Sequence, residues 1–350
     1  MTTFFAILLF SFLIFIHELG HFLAAKASKV RVNEFSIFMG PAIFKKQVGD
    51  TLYAIRLIPI GGYCAMEGEN EDTDDPHSFQ KASWWKRLVI LVAGSFMNLV
   101  TGVVLIAIVL SCSKGYVDTK LVDIEPNSSV AVEGGLQTGD RILSLNGTKI
   151  DIYADLALEM YFLEDGKYDV TVERDGQKIE LYNVPFVRTD FNDGEGARLG
   201  LSFGAEKTTA KSVLRQIWPE TRYQIKSVII SLKMLFTGKA GIKDMSGPVG
   251  IVQMMSESVE GVDDLGAQIL TSLSFGSMIA INLAMMNMLP IPALDGGRVV
   301  GLLLTCAIEK ITRRKLNAKY EGYIHGIGMV LLLALMAVVL FKDIFVIFKR

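Results

Sequence analysis

The strongest chemical signal in this 350-residue sequence is a pair of histidines four positions apart, His17 and His21, with Glu18 directly after the first. On a helix, residues i and i+4 lie on one face, so both imidazoles can reach one metal ion. A neighbouring carboxylate can then take a proton from a water molecule that zinc acidifies to a pKa of about 7. The sequence therefore predicts a zinc site with Glu18 as general base. The other two histidines, His77 and His325, are not expected to bind metal.

The two histidines follow an apolar run. The sixteen residues before His17 carry no charge, and ionisable side chains beside such a run are costly in lipid and mark functional sites. The first basic residue, Lys26, comes after the run, which disfavours a secretory signal peptide with a basic beginning. Basic residues there also place the far end of this span in the cytoplasm. We therefore expect the amino terminus outside the cell and the metal site nearer the cytoplasmic face.

The composition is that of a membrane protein. Hydrophobic residues make up 51% of the chain and the net charge is −2, which is more apolar than an ordinary soluble domain and gives no sign of nucleic-acid binding. Long uncharged runs predict four membrane spans, in contact with lipid and with both termini outside. The four runs are residues 4–25, 88–110, the first part of 266–308, and 323–341.

A third metal ligand is expected in the long run 266–308, whose only charges are Asp295 and Arg298. Pro290 and Pro292 must bend or interrupt a helix there. A carboxylate at membrane depth needs a partner, and catalytic zinc takes three protein ligands and leaves a fourth place open. Asp295 fits that requirement. The alternative is that Asp295 pairs with Arg298 instead.

Residues 30–66 contain two runs of strand formers separated by turn signals, which predicts a membrane-associated β region directly after the metal helix. The edge of a small sheet can bind an unwound peptide as a further strand. On that hypothesis Leu57, Gly61 and Gly62 contact the substrate. A purely structural hairpin is the equal alternative, and Glu34 in this region is a rival metal ligand.

Charged residues return after the second span, in residues 114–187. The sequence G-L-Q-T-G-D-R-I-L-S-L-N-G, residues 135–147, resembles the signature of a PDZ domain. PDZ domains bind peptides at a strand edge, so a peptide carboxyl terminus is a candidate partner, with a rigid spacer as the alternative. Residues 188–265 are expected to be a linker, in which 211–236 forms an amphipathic helix on the membrane surface.

These observations predict a polytopic α-helical membrane protein with four spans, a membrane-associated β region and one extracytoplasmic PDZ domain. The predicted domains are, in order, residues 1–113 with the first two spans and the β region, 114–187 as the PDZ domain, 188–265 as the linker, and 266–350 with the last two spans and the Leu-Asp-Gly motif.

Three motifs in this order resemble a known family. They are H-E-L-G-H at 17–21, the PDZ-like segment, and N-M-L-P-I-P-A-L-D-G-G at 287–297. The chain resembles the site-2 proteases, and most closely the bacterial regulator-of-sigma-E proteases in the form with one PDZ domain. The resemblance implies an intramembrane zinc metalloprotease of the bacterial plasma membrane that cuts single-span membrane proteins, such as anti-sigma factors already trimmed outside, or remnant signal peptides.

The resemblance also implies roles for individual residues. His17, His21 and Asp295 would bind zinc, and Glu18 would be the general base. Three residues would shape the broken helix, and the first of them would hold the substrate backbone; they are Asn287, Pro290 and Pro292.

The second span departs from the family in one place. The family often has G-P-x-x-N there, whereas this chain has Gly94-Ser95-Phe96-Met97-Asn98. Gly94 and Asn98 lie at helical spacing, which suits contact with other helices rather than lipid. Ser95 in place of proline bears on the local bend of this helix.

Two other classes of function are compatible with parts of the sequence. One is a membrane scaffold that holds peptides on a metal-stabilised helical bundle without cutting them. Glu18 argues against it, because a structural zinc site needs no base and is usually closed by four ligands. The other is a metal transporter, which the single compact ligand set disfavours. Turnover that depends on Glu18 distinguishes the protease from both.

Overall fold

The computed structural model describes residues 2–69, 73–191, 196–241, 247–260, 262, 264–313 and 318–349, which form eight helices and ten strands. The helices are α1 (Thr2–Ala27), α2 (Trp84–Cys112), α3 (Tyr153–Phe162), α4 (Ala210–Phe236), α5 (Pro248–Val259), α6 (Leu265–Asn287), α7 (Asp295–Thr312) and α8 (Ala318–Lys349). The strands are β1 (Val32–Val48), β2 (Thr51–Met66), β3 (Gly115–Ile124), β4 (Arg141–Leu145), β5 (Thr148–Lys149), β6 (Gly166–Arg174), β7 (Gln177–Phe186), β8 (Thr189–Asp190), β9 (Ala197–Arg198) and β10 (Leu201–Lys207).

The chain divides into two compact units. One comprises Met1–Ile106 together with Gln224–Arg350, and the other comprises Ala107–Tyr223. The first unit contains the long apolar helices and the β1–β2 hairpin, whereas the second is built mainly from short strands.

Four helices in the described part of the chain are long and apolar enough to cross a membrane. Each candidate span has at least 18 residues, and at 1.5 Å per residue about 20 residues cross a hydrocarbon core of roughly 30 Å. Their number and positions agree with the four predicted spans, so the protein is membrane-embedded. The spans are Phe5–Ala27, Trp84–Cys112, Leu265–Asn287 and Gly326–Asp343.

The predicted interruption of the third apolar run is confirmed, since α6 ends at Asn287 and α7 begins at Asp295. The connecting loop folds back onto the first turn of α7, and two glycines permit that approach. A Cβ atom on Gly296 would lie 2.3 Å from the carbonyl group of Met288, and one on Gly297 would lie 2.2 Å from the backbone of the same loop. The glycines thus allow the loop to pack where it leads into Asp295.

The predicted β region after α1 is present as an antiparallel hairpin of β1 and β2. The register is irregular, because Glu34–Ile37 of β1 is paired both with Leu52–Ile55 and with Gly62–Ala65 of β2. The hairpin therefore curls on itself into a small sheet. Within the described residues, Gly62–Ala65 is paired with β1 alone, so this part of β2 forms an edge of the sheet.

Glu34 is not a metal ligand in this structure, which removes it as a rival to Asp295. Its carboxylate accepts a hydrogen bond of 2.6 Å from the guanidinium of Arg56. The same guanidinium donates to the hydroxyl of Tyr63 at 2.7 Å and to the carbonyl of Gly40 at 2.6 Å. These contacts fix the curl of the hairpin.

The second unit contains a six-stranded sheet in the order β10-β3-β4-β6-β7, with β5 paired to β4. Its core includes buried Leu121, Ile142, Val172 and Phe186. The sheet extends beyond residue 187, because β10 falls in the stretch 188–265 that was expected to be a linker. Seven residues flanked by short loops gave too weak a periodic pattern to be recognised as a strand of this sheet.

Helix α4 and the neighbouring strands line a cavity of about 260 Å³ in the second unit. Glu220 of α4 lines it, and burial, with a smaller contribution from the charge of Asp155, raises the pKa of Glu220 to about 7. Arg222, two residues on, binds the carboxylates of Asp151 and Asp155 at 2.6 and 2.7 Å. Other charged groups that line the cavity are Asp118, Arg141 and Arg215.

This carboxyl group makes the stability of the protein depend on pH. Because its pKa is about 7 when folded, against 4.5 ordinarily, the unfolded chain loses this proton first and stability falls as the pH rises from 4.5 to 7. We expect Glu220→Gln to remove that loss. Thermal unfolding should show the variant several degrees more stable than wild type at pH 8 and nearly equal to it at pH 5. An equal difference at both pH values would contradict this assignment.

Candidate active site

His17 and His21 lie on one face of α1, as their spacing predicts. His21 is buried, and the two imidazole rings meet edge to face with centroids 4.8 Å apart. The two Nε2 atoms are 3.2 Å apart. Both lone pairs are therefore directed at one small region.

Asp295, the first residue of α7, completes a triangle with the two histidines. Its Oδ2 atom lies 3.2 Å from each Nε2. Tetrahedral zinc with ligand distances near 2.0–2.1 Å separates its ligand atoms by about 3.3 Å. Among the described residues, this buried oxygen has no hydrogen bond of acceptable geometry. Two imidazoles and one carboxylate at this spacing therefore fit a catalytic zinc ion.

Glu18 lies beside this triangle but is not one of its three corners. It directly follows His17 on α1. Its Cγ atom is 3.5 Å from the position that a Cβ atom on Gly62 would occupy. Glu18 is thus next to both a prospective metal ligand, His17, and the edge of the β sheet, a position that suits a general base.

One face of α2 forms the wall behind the two histidines. The backbone carbonyl of Ile90 accepts a hydrogen bond of 2.8 Å from Nδ1–H of His21. A Cβ atom on Gly94 would lie 2.3 Å from Nε2 of His21 and 2.8 Å from Cε1 of His17. Asn98 places its carboxamide 3.4 Å from Nδ1 of His17. Helix α2 continues without a break past the position where the family often has proline.

Arg298 does not pair with Asp295, which was the alternative considered from the sequence. Its guanidinium binds the carboxylate of Glu69, which also accepts a hydrogen bond from the backbone amide of Met66. Asp295 instead faces the two histidines. The acidic residue that binds Arg298 comes from the loop after β2, and sequence alone gave no indication of it.

The structure brings some of the other predicted site residues to this centre and leaves others apart. Gly62 lies next to Glu18, as described above. Asn287 is the last residue of α6 and is half-buried, and the side chain of Leu57 is 60% exposed. Pro292 packs closely against Gly328 of α8, whose Cβ atom would lie 2.3 Å away. Within the described part of the chain, no hydrogen bond or ion pair joins Asn287, Leu57, Gly61 or Pro290 to the three ligand residues.

Sequence reasoning did not identify the contributions of Ile90, Gly94 and Asn98 to the site. These residues are four positions apart, so they share one face of a helix. Their spacing matches that of His17 and His21. The signal was therefore present, but only the contact between α1 and α2 shows that the two stripes face each other.

Known proteins are similar to this chain over nearly its whole length. The model of peptidase family M50 matches residues 5–335. A protein of Clostridium perfringens is 35% identical over 342 residues, which cover 97% of this chain and 97% of the relative. The zinc metalloprotease RasP of Shouchella clausii is 29% identical over 97% of each chain. The regulator of sigma-W protease RasP of Bacillus subtilis is 26% identical, again over 97% of each.

The family match covers nearly the whole chain, including both histidines, Glu18 and Asp295. Together with the four apolar helices and the ligand triangle, it identifies the class of enzyme. This chain belongs to peptidase family M50, the site-2 protease family of intramembrane zinc metalloendopeptidases.

Proposed function

We propose that this protease cuts single-span membrane proteins within or near their transmembrane segments. Anti-sigma factors trimmed outside the membrane and remnant signal peptides are the substrate classes. The observation that carries the proposal is the triangle of His17, His21 and Asp295, because both histidines and Glu18 lie on a helix that is apolar enough to span the membrane. The Bacillus subtilis relative is named as a regulator of sigma-W, which supports the first substrate class.

His17, His21 and Asp295 hold the zinc ion in this proposal. When bound, zinc lowers the pKa of a water molecule and polarises the scissile carbonyl group. Glu18 takes the proton from the attacking water and passes it to the leaving amine. Asp295 is fixed by its position in the first turn of α7, where the helix dipole stabilises its negative charge.

A transmembrane helix hides its peptide bonds in its own hydrogen bonds, so it must unwind before it is cut. The edge of the curled hairpin supports a route for this step, because Gly62 lies beside Glu18 and Gly62–Ala65 has one strand partner among the described residues. An unwound substrate would pair along β2, near Leu57, Gly61 and Gly62.

The break between α6 and α7 is the second aid to catalysis. Asn287 ends α6 immediately before the loop that contains Pro290 and Pro292, and in the described residues its carboxamide makes no hydrogen bond. We assign it to holding the substrate backbone. The two prolines keep the segment from continuing as a helix, which leaves room for water and peptide beside Asp295.

The second unit is proposed to be an extracytoplasmic PDZ domain whose sheet includes β10. Its groove binds a peptide carboxyl terminus, or the domain filters substrates by size. Both termini lie outside the cell and the zinc site lies nearer the cytoplasmic face, in keeping with the basic residues that follow α1. The four-part division given above is retained, except that the sheet extends to Lys207.

A proline at Leu57 tests the proposed addition of substrate to β2. Arg56 and Ile58 are paired with Ala42 and Met39, but the register leaves Leu57 itself without a partner. Leu57→Pro removes the backbone donor of a residue that has no partner in this register. We expect cleavage of a tagged single-span substrate to fall about tenfold or more, the equivalent of one or two lost hydrogen bonds, while the zinc content is unchanged.

Phe44→Pro is the matched control. Phe44 lies on the same hairpin and is paired with Ile55, on the far side from Gly62–Ala65. This variant should lose stability and retain more activity than Leu57→Pro. Unchanged cleavage in Leu57→Pro would exclude substrate pairing at Leu57 while leaving the zinc chemistry intact.

A further inference from the structure

The two zinc-facing histidines are held in different ways. His21 donates Nδ1–H to the carbonyl of Ile90 at 2.8 Å. A carbonyl oxygen only accepts, so this contact puts the proton on Nδ1 and leaves the Nε2 lone pair for the metal. The corresponding atom of His17, Nδ1, meets the side chain of Asn98 instead, at 3.4 Å.

The contact between His17 and Asn98 joins two donors. Nε2 of His17 is the atom that faces Asp295, so the proton of the neutral ring belongs on Nδ1, and the Asn98 atom opposite is the amide nitrogen Nδ2. Meanwhile Oδ1 of Asn98 is buried with no hydrogen-bond partner among the described residues. Asn98 is 1% exposed, so bulk water does not donate a hydrogen bond to that oxygen.

Rotation of the carboxamide by 180° exchanges its nitrogen and oxygen. Oδ1 then faces Nδ1–H of His17, and a donor meets an acceptor. Histidines that bind metal through one nitrogen almost always donate the other N–H to such an acceptor, which fixes the tautomer and the ring orientation. In this orientation Asn98 accepts a hydrogen bond from His17, as the Ile90 carbonyl does from His21.

We propose, on the basis of the zinc-ligand role assigned to His17 above, that Asn98 is a positioning residue of the zinc site. Its Oδ1 atom accepts the Nδ1–H of His17 and holds the Nε2 lone pair toward the metal. The carboxamide is fixed for this task by burial in the face of α2 that packs against α1.

The test compares zinc affinity in the full-length protein in detergent, measured by competition with a chelator. Asn98→Leu keeps the volume of the side chain and removes the acceptor, and its zinc affinity should fall about 10–100-fold. Asn98→Asp offers oxygen acceptors only, so its affinity should stay within a few fold of wild type. If the amide instead donated to His17, Asn98→Asp would bind zinc more weakly than Asn98→Leu.

Thermal unfolding with and without zinc separates this role from simple packing. Asn98→Leu should lose part of the stabilisation that zinc confers, because that stabilisation follows the affinity. Thr101→Val is the matched control on α2, since the hydroxyl of Thr101 donates to the backbone carbonyl of Met97 in the same helix, at 2.8 Å. It should lower both melting temperatures equally. If the wild-type protein binds no zinc, the zinc site itself is wrong. If wild type and Asn98→Leu bind zinc with equal affinity, only the role of Asn98 is wrong.

Discussion

Glu18→Gln is expected to retain its zinc and to cut its substrate about 10²–10⁴-fold more slowly than wild type, the usual contribution of a general base. The reason is geometric. Glu18 directly follows His17 on α1, but the ligand triangle is complete without it. Initial rates on a tagged single-span substrate and zinc content per chain, measured on the same preparation, check both parts.

Glu67→Gln is a control for the loss of one negative charge. Glu67 belongs to the loop after β2 and accepts a hydrogen bond of 2.8 Å from Asn33. Its substitution should leave the rate within a few fold of wild type. If Glu18→Gln keeps full activity, Glu18 is not the base. If wild type and variant both hold zinc and neither cuts any single-span protein, the scaffold hypothesis gains over the protease.

Gly94→Ala is expected to abolish zinc binding with a single methyl group. The added carbon would lie 2.3 Å from Nε2 of His21, well inside van der Waals contact, and it would intrude on the atom proposed to bind the metal. The loss should exceed the roughly 10–100-fold caused by removing a supporting hydrogen bond, because the ligand itself is displaced. Zinc content after dialysis against a weak chelator measures it.

Gly102→Ala supplies the matched control, two turns further along α2. Its Cβ atom would meet the side chain of Ile281 at 2.6 Å, so it should disturb the packing of α2 against α6 and lower the melting temperature. It should keep its zinc, since no metal ligand lies against it. Equal zinc content in the two alanine variants would show that Gly94 does not shape the site.

The histidine pair and the four spans were predictable because they are local. His17 and His21 are one helical turn apart, and each span is an uninterrupted apolar run. The break after α6 was predictable for the same reason, because the prolines themselves prevent a continuous helix. Predictions of this kind need only the spacing and the physical chemistry of a single segment.

The supporting contacts were not predictable, because they join segments that are distant in the sequence. Arg298 binds Glu69, 229 positions away, although Asp295 is only three residues from it. Asn98 meets His17 across 81 positions. A charge or an amide can be recognised as needing a partner, but its identity depends on how the helices pack.

The shape of small irregular elements was also not predictable from the sequence. The hairpin after α1 pairs Glu34–Ile37 twice, and this depends on bulges and on positive φ at Gly40 and Gly61. Alternation of apolar and polar residues shows that strands are present but not how they curl. The position of Gly62 against Glu18 follows from that curl.

Mapping the position of the cleaved peptide bond tests whether this protein cuts inside a transmembrane segment. A single-span protein lacking its extracytoplasmic domain is incubated with the wild-type enzyme in detergent, and the products are identified by mass spectrometry. We expect new termini inside the apolar segment, which disappear when zinc is removed and return when it is restored. Termini confined to the soluble parts of the substrate, or a cut that survives removal of zinc, would contradict this expectation.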